Sequence, residues 1–191
     1  MINDYYNTIT PPATYPVTLA EAKEWIRVNG TIEDVLITAL ISAATTIGEA
    51  HTNRQFVTRT MEGFFAGADA SRFELHPFVQ IRRAPASNVT VDMLINGEFT
   101  AVTDYAIWRA GGFDRIIFND GVPSHDMGQY PIKVTFDAGY DIVPDGIRTA
   151  IKQHILFMYE NRGDVVPDGV VSMPIESKFL YSSYRIQNTF G

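Results

Sequence analysis

The spacing of apolar residues changes twice along this chain of 191 residues, and that change constrains the fold more than any motif does. Up to about residue 54 apolar side chains recur at helical intervals. From Gln55 they alternate with polar ones, and after Pro144-Asp145 the helical interval returns. One period cannot serve both element types, since a helix repeats every 3.6 residues and a strand every two. The pattern therefore predicts an α+β protein: a small antiparallel helical bundle with an inserted antiparallel β module. The expected boundaries are an N-terminal extension over 1–16 and one helical core from 17–54 and 139–163. The β module spans 55–138, and a C-terminal segment spans 164–191.

Thr18-Leu19-Ala20-Glu21 reads as a capping box, in which the Thr and Glu side chains satisfy each other's orphan backbone N–H groups. The first ordered element is expected to begin there, as a short helix to about Val28. Asn29-Gly30 is a turn pair, and Thr31 with Asp34 repeats the start signal for a helix running from Thr31 to Asn53. Its apolar stripe is expected at Leu36, Leu40, Ala43, Ile47 and Ala50, which follow one another at intervals of four and three. The partner stripe, Ile147, Ile151, His154 or Ile155, Met158 and Tyr159, belongs to a helix from Asp145 to Asn161 that Asn161-Arg162-Gly163 ends.

Between them, Val89, Val91, Met93 and Ile95 alternate with Thr90, Asp92 and Leu94, and Asn96-Gly97 supplies a hairpin turn before Phe99 to Val102. Ile132, Val134 and Phe136 alternate in the same way. Further strands are expected over Thr58 to Phe65, Arg72 to Leu75, Tyr105 to Trp108 and Arg115 to Phe118.

Composition excludes several function classes. Fifteen Lys plus Arg against twenty-two Asp plus Glu give a net charge of −7, the wrong sign for a protein that grips nucleic acid by its phosphates. Without cysteine there is no disulfide, thiolate metal site or thiol nucleophile. No segment approaches the roughly 18 unbroken apolar residues of a membrane span. The first 16 residues lack the basic start and apolar run of a secretory leader, so synthesis in a cytoplasm is expected.

Catalysis finds no foothold. His51, His76, His125 and His154 include no pair at the i, i+4 spacing of a helical metal site, so neither a metal nor any other cofactor is expected. His51 reads as a favourable charge at a helix C-terminus and His154 as a helix-flank residue. Asp120, His125 and Asp126 share the loop Asn119 to Tyr130, which keeps a hydrolase or small-ligand module open as an alternative, but sequence neighbours do not by themselves form a site. No nucleophile elbow, phosphate loop or dinucleotide fingerprint occurs. Arg54, Arg59 and Arg82-Arg83 read as solvated faces or subunit salt bridges. The aromatic residues of Ser177 to Phe190 admit two readings: packing on their own domain, or anchoring a partner.

Several segments, in order over about residues 17–186, together resemble the head-tail connector (adaptor) proteins of tailed bacteriophages, the gp6-like and phiE125 gp8-like group. They are Val17 to Lys23 leading to Ile26-Arg27-Val28, Asp34 to Ala44, Glu49 to Arg54, Val134 to Tyr140, Val143-Pro144, Ala150 to Gln153, Tyr159 to Arg162 and Leu180 to Arg185. Tyr181-Ser182-Ser183 departs from the leucine and proline expected of that group.

The resemblance implies a non-enzymatic structural protein of the virion neck, assembled in the host cytoplasm. It implies a twelve-fold ring of copies beneath the portal protein, through which genomic DNA passes without sequence-specific contact, with stopper or tail-terminator proteins as further partners. A stopper or tail-completion ring is the nearest alternative. A surplus of carboxylates suits a channel wall that repels phosphate. On this view Phe179, Leu180, Tyr181, Tyr184, Arg185 and Phe190 are expected to dock on the portal, while Leu36, Leu40, Ala43, Ile47, Ile147, Ile151, Ile155 and Met158 pack the helical core.

Overall fold

The two textures of the sequence become two compact units in the computed structural model. One holds Met1–Pro12 and Thr58–Gly139, the other Ala13–Val57 and Tyr140–Gly191. The structure describes residues 5–65, 78–110, 113–121, 123–126, 130–161 and 173–186.

The first unit is all β. Its strands are β1 (Tyr5–Thr10), β2 (Arg59–Phe65), β3 (Phe78–Ile81), β4 (Ala86–Ile95), β5 (Glu98–Val102), β6 (Tyr105–Ala110), β7 (Phe113–Phe118) and β8 (Ile132–Ala138). They form a five-stranded sheet in the order β1-β2-β8-β4-β5 and a three-stranded sheet in the order β3-β7-β6. Every pairing is antiparallel. Alternation decides which face is buried: along β8, Ile132, Val134, Phe136 and Ala138 are buried and the residues between them are not. These side chains share one core with Met61, Phe65, Val91 and Met93 of the same sheet and with Val79, Ile81, Ile116 and Phe118 of the other. At the β4–β5 hairpin Asn96 and Gly97 both have positive φ, 54° and 82°, as a primed two-residue turn demands.

Residues 1–16 are not a plain extension, and Thr18 does not begin the first ordered element. Tyr5–Thr10 is strand β1, paired along β2. Its anchor is Tyr6, whose ring stands edge-on to Phe65 and Phe136 at centroid distances of 5.8 and 6.3 Å. Asn7 adds a 3.1 Å hydrogen bond to Glu62. Strand β3 also lies where no strand was expected, whereas the strand expected over Arg72 to Leu75 falls outside the described residues.

The second unit is helical: α1 (Leu19–Ile26), α2 (Asp34–Thr52), α3 (Asp145–Glu160) and α4 (Ile175–Ser182). Thr18 and Glu21 form the reciprocal capping box at α1. The α2 start differs from expectation: Glu33 is the N-cap with no side-chain cap bond, and Thr31 supplies only a backbone turn to Asp34. What fixes that end is an ion pair, Lys23 Nζ to Asp34 Oδ1 at 2.6 Å, together with the Tyr159 hydroxyl, which donates to Glu33.

The core face of α2 is turned one residue from the expected stripe. Ile37, Ile41, Ala44 and Gly48 are buried, while Leu36 is 36% exposed, Ala50 is exposed, and Leu40, Ala43 and Ile47 lie partly buried on the flank. Two neighbouring rows of α2 satisfy the same periodicity. The row with the small residues wins because it admits the rings of Phe56 and Tyr181: a Cβ on Gly48 would stand 2.8 Å from both. On α3, Ile147, Ile151 and Ile155 are buried in this core together with Ala150, and Met158 and Tyr159 pack at its margin.

Candidate assembly surfaces

The C-terminal aromatic segment divides between the two readings its composition allowed. Tyr181 belongs to the core. Its side chain is fully buried, its ring stacks on Phe56 at 6.0 Å with 17° between planes, and burial raises the pKa of its hydroxyl well above the usual phenol range. In this structure it presents no surface to a partner. Leu180 and Tyr184 are half-buried against the same core. Ser177 is buried and donates to the Ala150 carbonyl at 3.1 Å, and the Ile186 amide donates to the Thr52 carbonyl at 2.9 Å. Arg54 reaches the Tyr184 carbonyl. Only Phe179, 75% exposed, and Arg185 keep the outward placement that docking requires, and Phe190 lies outside the described residues.

The outward side of α4 carries Ile175, 73% exposed, and Phe179, one helical turn apart and so on one face. Glu176 and Lys178, also exposed, flank them. Nearby, His51 stands in the last turn of α2, the helix end expected for it, and burial first, then Arg185 and Lys178, push its pKa down. His154 is fully buried within α3 and is not a flank residue.

At the end of the unit where α2 begins, α1 and the second half of α3 enclose a groove of about 730 Å³. Trp25 and Leu156 give it apolar walls, Glu24, Arg27 and Glu160 are exposed around it, and Lys152 lies 5.9 Å from the Trp25 ring centre. Glu21, also in its lining, is held by Arg148 and Lys152. Hydrogen bonds from the Thr18 backbone and hydroxyl, and secondarily those two cations, keep the Glu21 carboxyl below its ordinary pKa. The sequence marked Glu21 only as a cap, and none of these residues was expected to line a groove. The available signal was Trp25, a large ring set off the Ala22–Ile26 face that α1 buries.

The described residues of the loop that offered acid/base chemistry make turn contacts. Asp126 accepts the Gly97 amide at 2.7 Å, its own amide donates to Leu94, and the exposed His125 ring stands 3.0 Å from the Pro123 carbonyl. No group of three or more potential metal ligands occurs among the described residues. His76 is outside them. Arg83 lies over the Tyr6 ring at 5.5 Å, a structural use of one of the paired arginines.

The chain is thus of mixed α+β class, a β unit inserted in a helical one. No protein-family model and no curated protein matches it. Solved structures do. A chain from the neck of an empty gene transfer agent particle computed with C6 symmetry superposes with a TM-score of 0.77 at 17% identity, over 98% of both chains. A chain from the virion of a native gene transfer agent particle gives 0.75 at 19% identity over 97% of both. One from the neck of a native particle computed with C12 symmetry gives 0.73 at 18% identity over 98% of both. The likeness is one of fold, and it extends through both units.

Proposed function

We propose that this chain is a non-enzymatic structural protein of the neck of a tailed, phage-like particle. In this reading it forms the head-tail connector (adaptor) ring beneath the portal and lengthens the channel through which the genome passes. The observation that carries the reading is the end-to-end likeness to chains from neck assemblies, together with the connector-like segments in the sequence. Twelve copies per ring fit both symmetries of those assemblies, because a six-fold rotation is contained in a twelve-fold one, whereas a six-copy ring does not satisfy C12. A net charge of −7 supports a lumen that repels phosphate and lets DNA slide.

The test is electron microscopy of the full chain with and without portal rings, joined to particle production from a host lacking its gene. A ring seated on the portal, and heads without tails in the deletion, are expected. Normal tailed particles in the deletion would refute the neck role. A ring that binds the tail side and ignores the portal would replace the adaptor by a stopper or tail-completion protein. Truncating the C-terminal segment would not test docking, since Ser177 and Tyr181 belong to the fold.

A further inference from the structure

The end of α2 meets α4 around one ionisable ring. His51, half-buried in the last turn of α2, stands with Nε2 3.2 Å from the Ser182 hydroxyl and its ring 6.3 Å from that of Tyr181. Ser182 Oγ donates its single proton to the Lys178 carbonyl at 2.7 Å, so toward His51 it accepts. Nε2 therefore carries the hydrogen of the neutral ring, and a second proton enters at Nδ1. Protonation keeps the Ser182 contact and adds charge.

That charge arrives among cations. Lys178, Ser182 and Arg185 follow one another at intervals of four and three, and the chain keeps winding past α4, where the Arg185 amide donates to the Ser182 carbonyl. Both cations thus share the side of α4 that Ser182 turns to His51. Neither has an ion pair among the described residues, and no carboxylate among them acts on the ring. Glu49, the nearest acid on α2, accepts the Phe56 amide at 2.8 Å, and Arg54 reaches the Tyr184 carbonyl. The α2 dipole favours a proton at this end. It is opposed by burial of the ring and by both cations, and the Thr52 carbonyl that contributes to it is already taken by the Ile186 amide at 2.9 Å.

We propose that His51 is a pH-sensitive latch on α4: a proton on its ring sets a third cation against Lys178 and Arg185 and loosens α4 and the turn after it from the end of α2. A helix of 8 residues has little stability of its own, so α4 keeps its form only while docked. The folded chain takes up the proton less readily than the undocked segment. Docking is therefore at full strength above the ordinary imidazole value of 6.5, weakens as pH falls below it, and levels off once pH passes the lower folded value. The latch rests on the packing of α2 and α4 and is independent of the neck reading.

Hydrogen exchange of the full-length chain, read over the amides of 177–186 and corrected for intrinsic rates, tests it. Protection there should fall by about threefold or more between about pH 7.5 and about pH 5, as roughly half a decade of lost proton affinity requires, while the amides of β8 keep theirs. His51→Gln retains a donor for Ser182 and does not titrate, so it should abolish the fall. Lys178→Gln combined with Arg185→Gln should leave a smaller one, since burial of the ring remains. The NMR titration of the His51 ring in the unaltered chain stands even where a variant fails to fold: its midpoint should lie below 6.5 and rise toward that value in the double variant. A midpoint at or above 6.5, a midpoint unmoved by the double variant, an equal fall in His51→Gln, or a fall shared by β8 would overturn the latch.

Discussion

Tyr181 decides between a partner anchor and a core residue, and Tyr181→Ala measures which it is. The ring is wholly buried, stacked on Phe56 and set against Gly48, which has no side chain to move into the space left behind. Truncating a buried aromatic costs about 3–5 kcal/mol, the upper part applying where the site cannot collapse. With a urea dependence of about 2 kcal/mol per molar, the midpoint should fall by about 1.5–2.5 M. The chain has two tryptophans, Trp25 in the helical unit and Trp108 in the β unit. A Trp108→Phe background therefore leaves Trp25 fluorescence to report the helical unit alone. Tyr181→Phe is the control: its hydroxyl stands 3.5 Å from the Ala44 carbonyl, long for a hydrogen bond, so removing it should cost under about 1 kcal/mol. A midpoint change below about 0.3 M for Tyr181→Ala, with partner binding lost, would return Tyr181 to the docking surface and refute the packing argument.

Two glycine substitutions should separate crowding from backbone strain. Gly48→Ala gains roughly 1 kcal/mol of helix propensity but drives a methyl to 2.8 Å from two buried rings, so a net loss of helical-unit stability is expected, read by Trp25 as above. Gly97→Ala meets no atom within 4 Å, yet its φ of +82° should cost about 1 kcal/mol or more, read by Trp108 in a Trp25→Phe background. The Glu21 carboxyl, held below its ordinary value of 4.5, stabilises the folded chain fully above that value and loses the contribution as pH falls through its folded pKa. Glu21→Gln should therefore flatten the acid limb of a stability–pH curve while costing stability at neutral pH, and an unchanged acid limb would refute the assignment.

The sequence made local features legible and left packing choices hidden. The capping box, the Asn96-Gly97 turn and the alternation of β8 depend on a few adjacent residues, and all three occur where the spacing puts them. The face of α2 was not legible in this way, because Leu36-Leu40-Ala43-Ile47 and Ile37-Ile41-Ala44-Gly48 have identical spacing. The choice between them rests on the rings of Phe56 and Tyr181, the latter distant in sequence. Strand β1 was hidden for a similar reason. Only partial alternation marks Tyr5 to Thr10, and its stability comes from Phe65 and Phe136 far along the chain. The groove was invisible for a third reason, since a concave surface needs two helices and its residues are ordinary members of each.

The placement of exposed apolar side chains bears on which unit assembles. Among the described residues the β unit exposes Tyr5, Ile9, Phe99 and Trp108, and three of these are aromatic rings with partners: Phe99 lies under Lys133 at 4.8 Å, Trp108 under Arg115 at 5.5 Å, and Tyr5 beside Phe64 at 6.3 Å. The helical unit exposes Ile32, Val35, Ile142 and Ile175, all between 73% and 99%, and these aliphatic side chains have no polar atom with which to use water. Each leaves unrealised the roughly 1.5–3 kcal/mol that full burial of such a side chain supplies. If the proposed ring forms, that concentration makes the helical unit the one to carry the contacts between copies. The opposing term is the charge of −7 on every copy, which repels at long range and is screened beyond about 10 Å at 0.1 M salt. A short-range apolar attraction beneath a salt-screened repulsion would keep dilute copies apart and let crowded ones join, the behaviour that the proposed ring would require of its subunits.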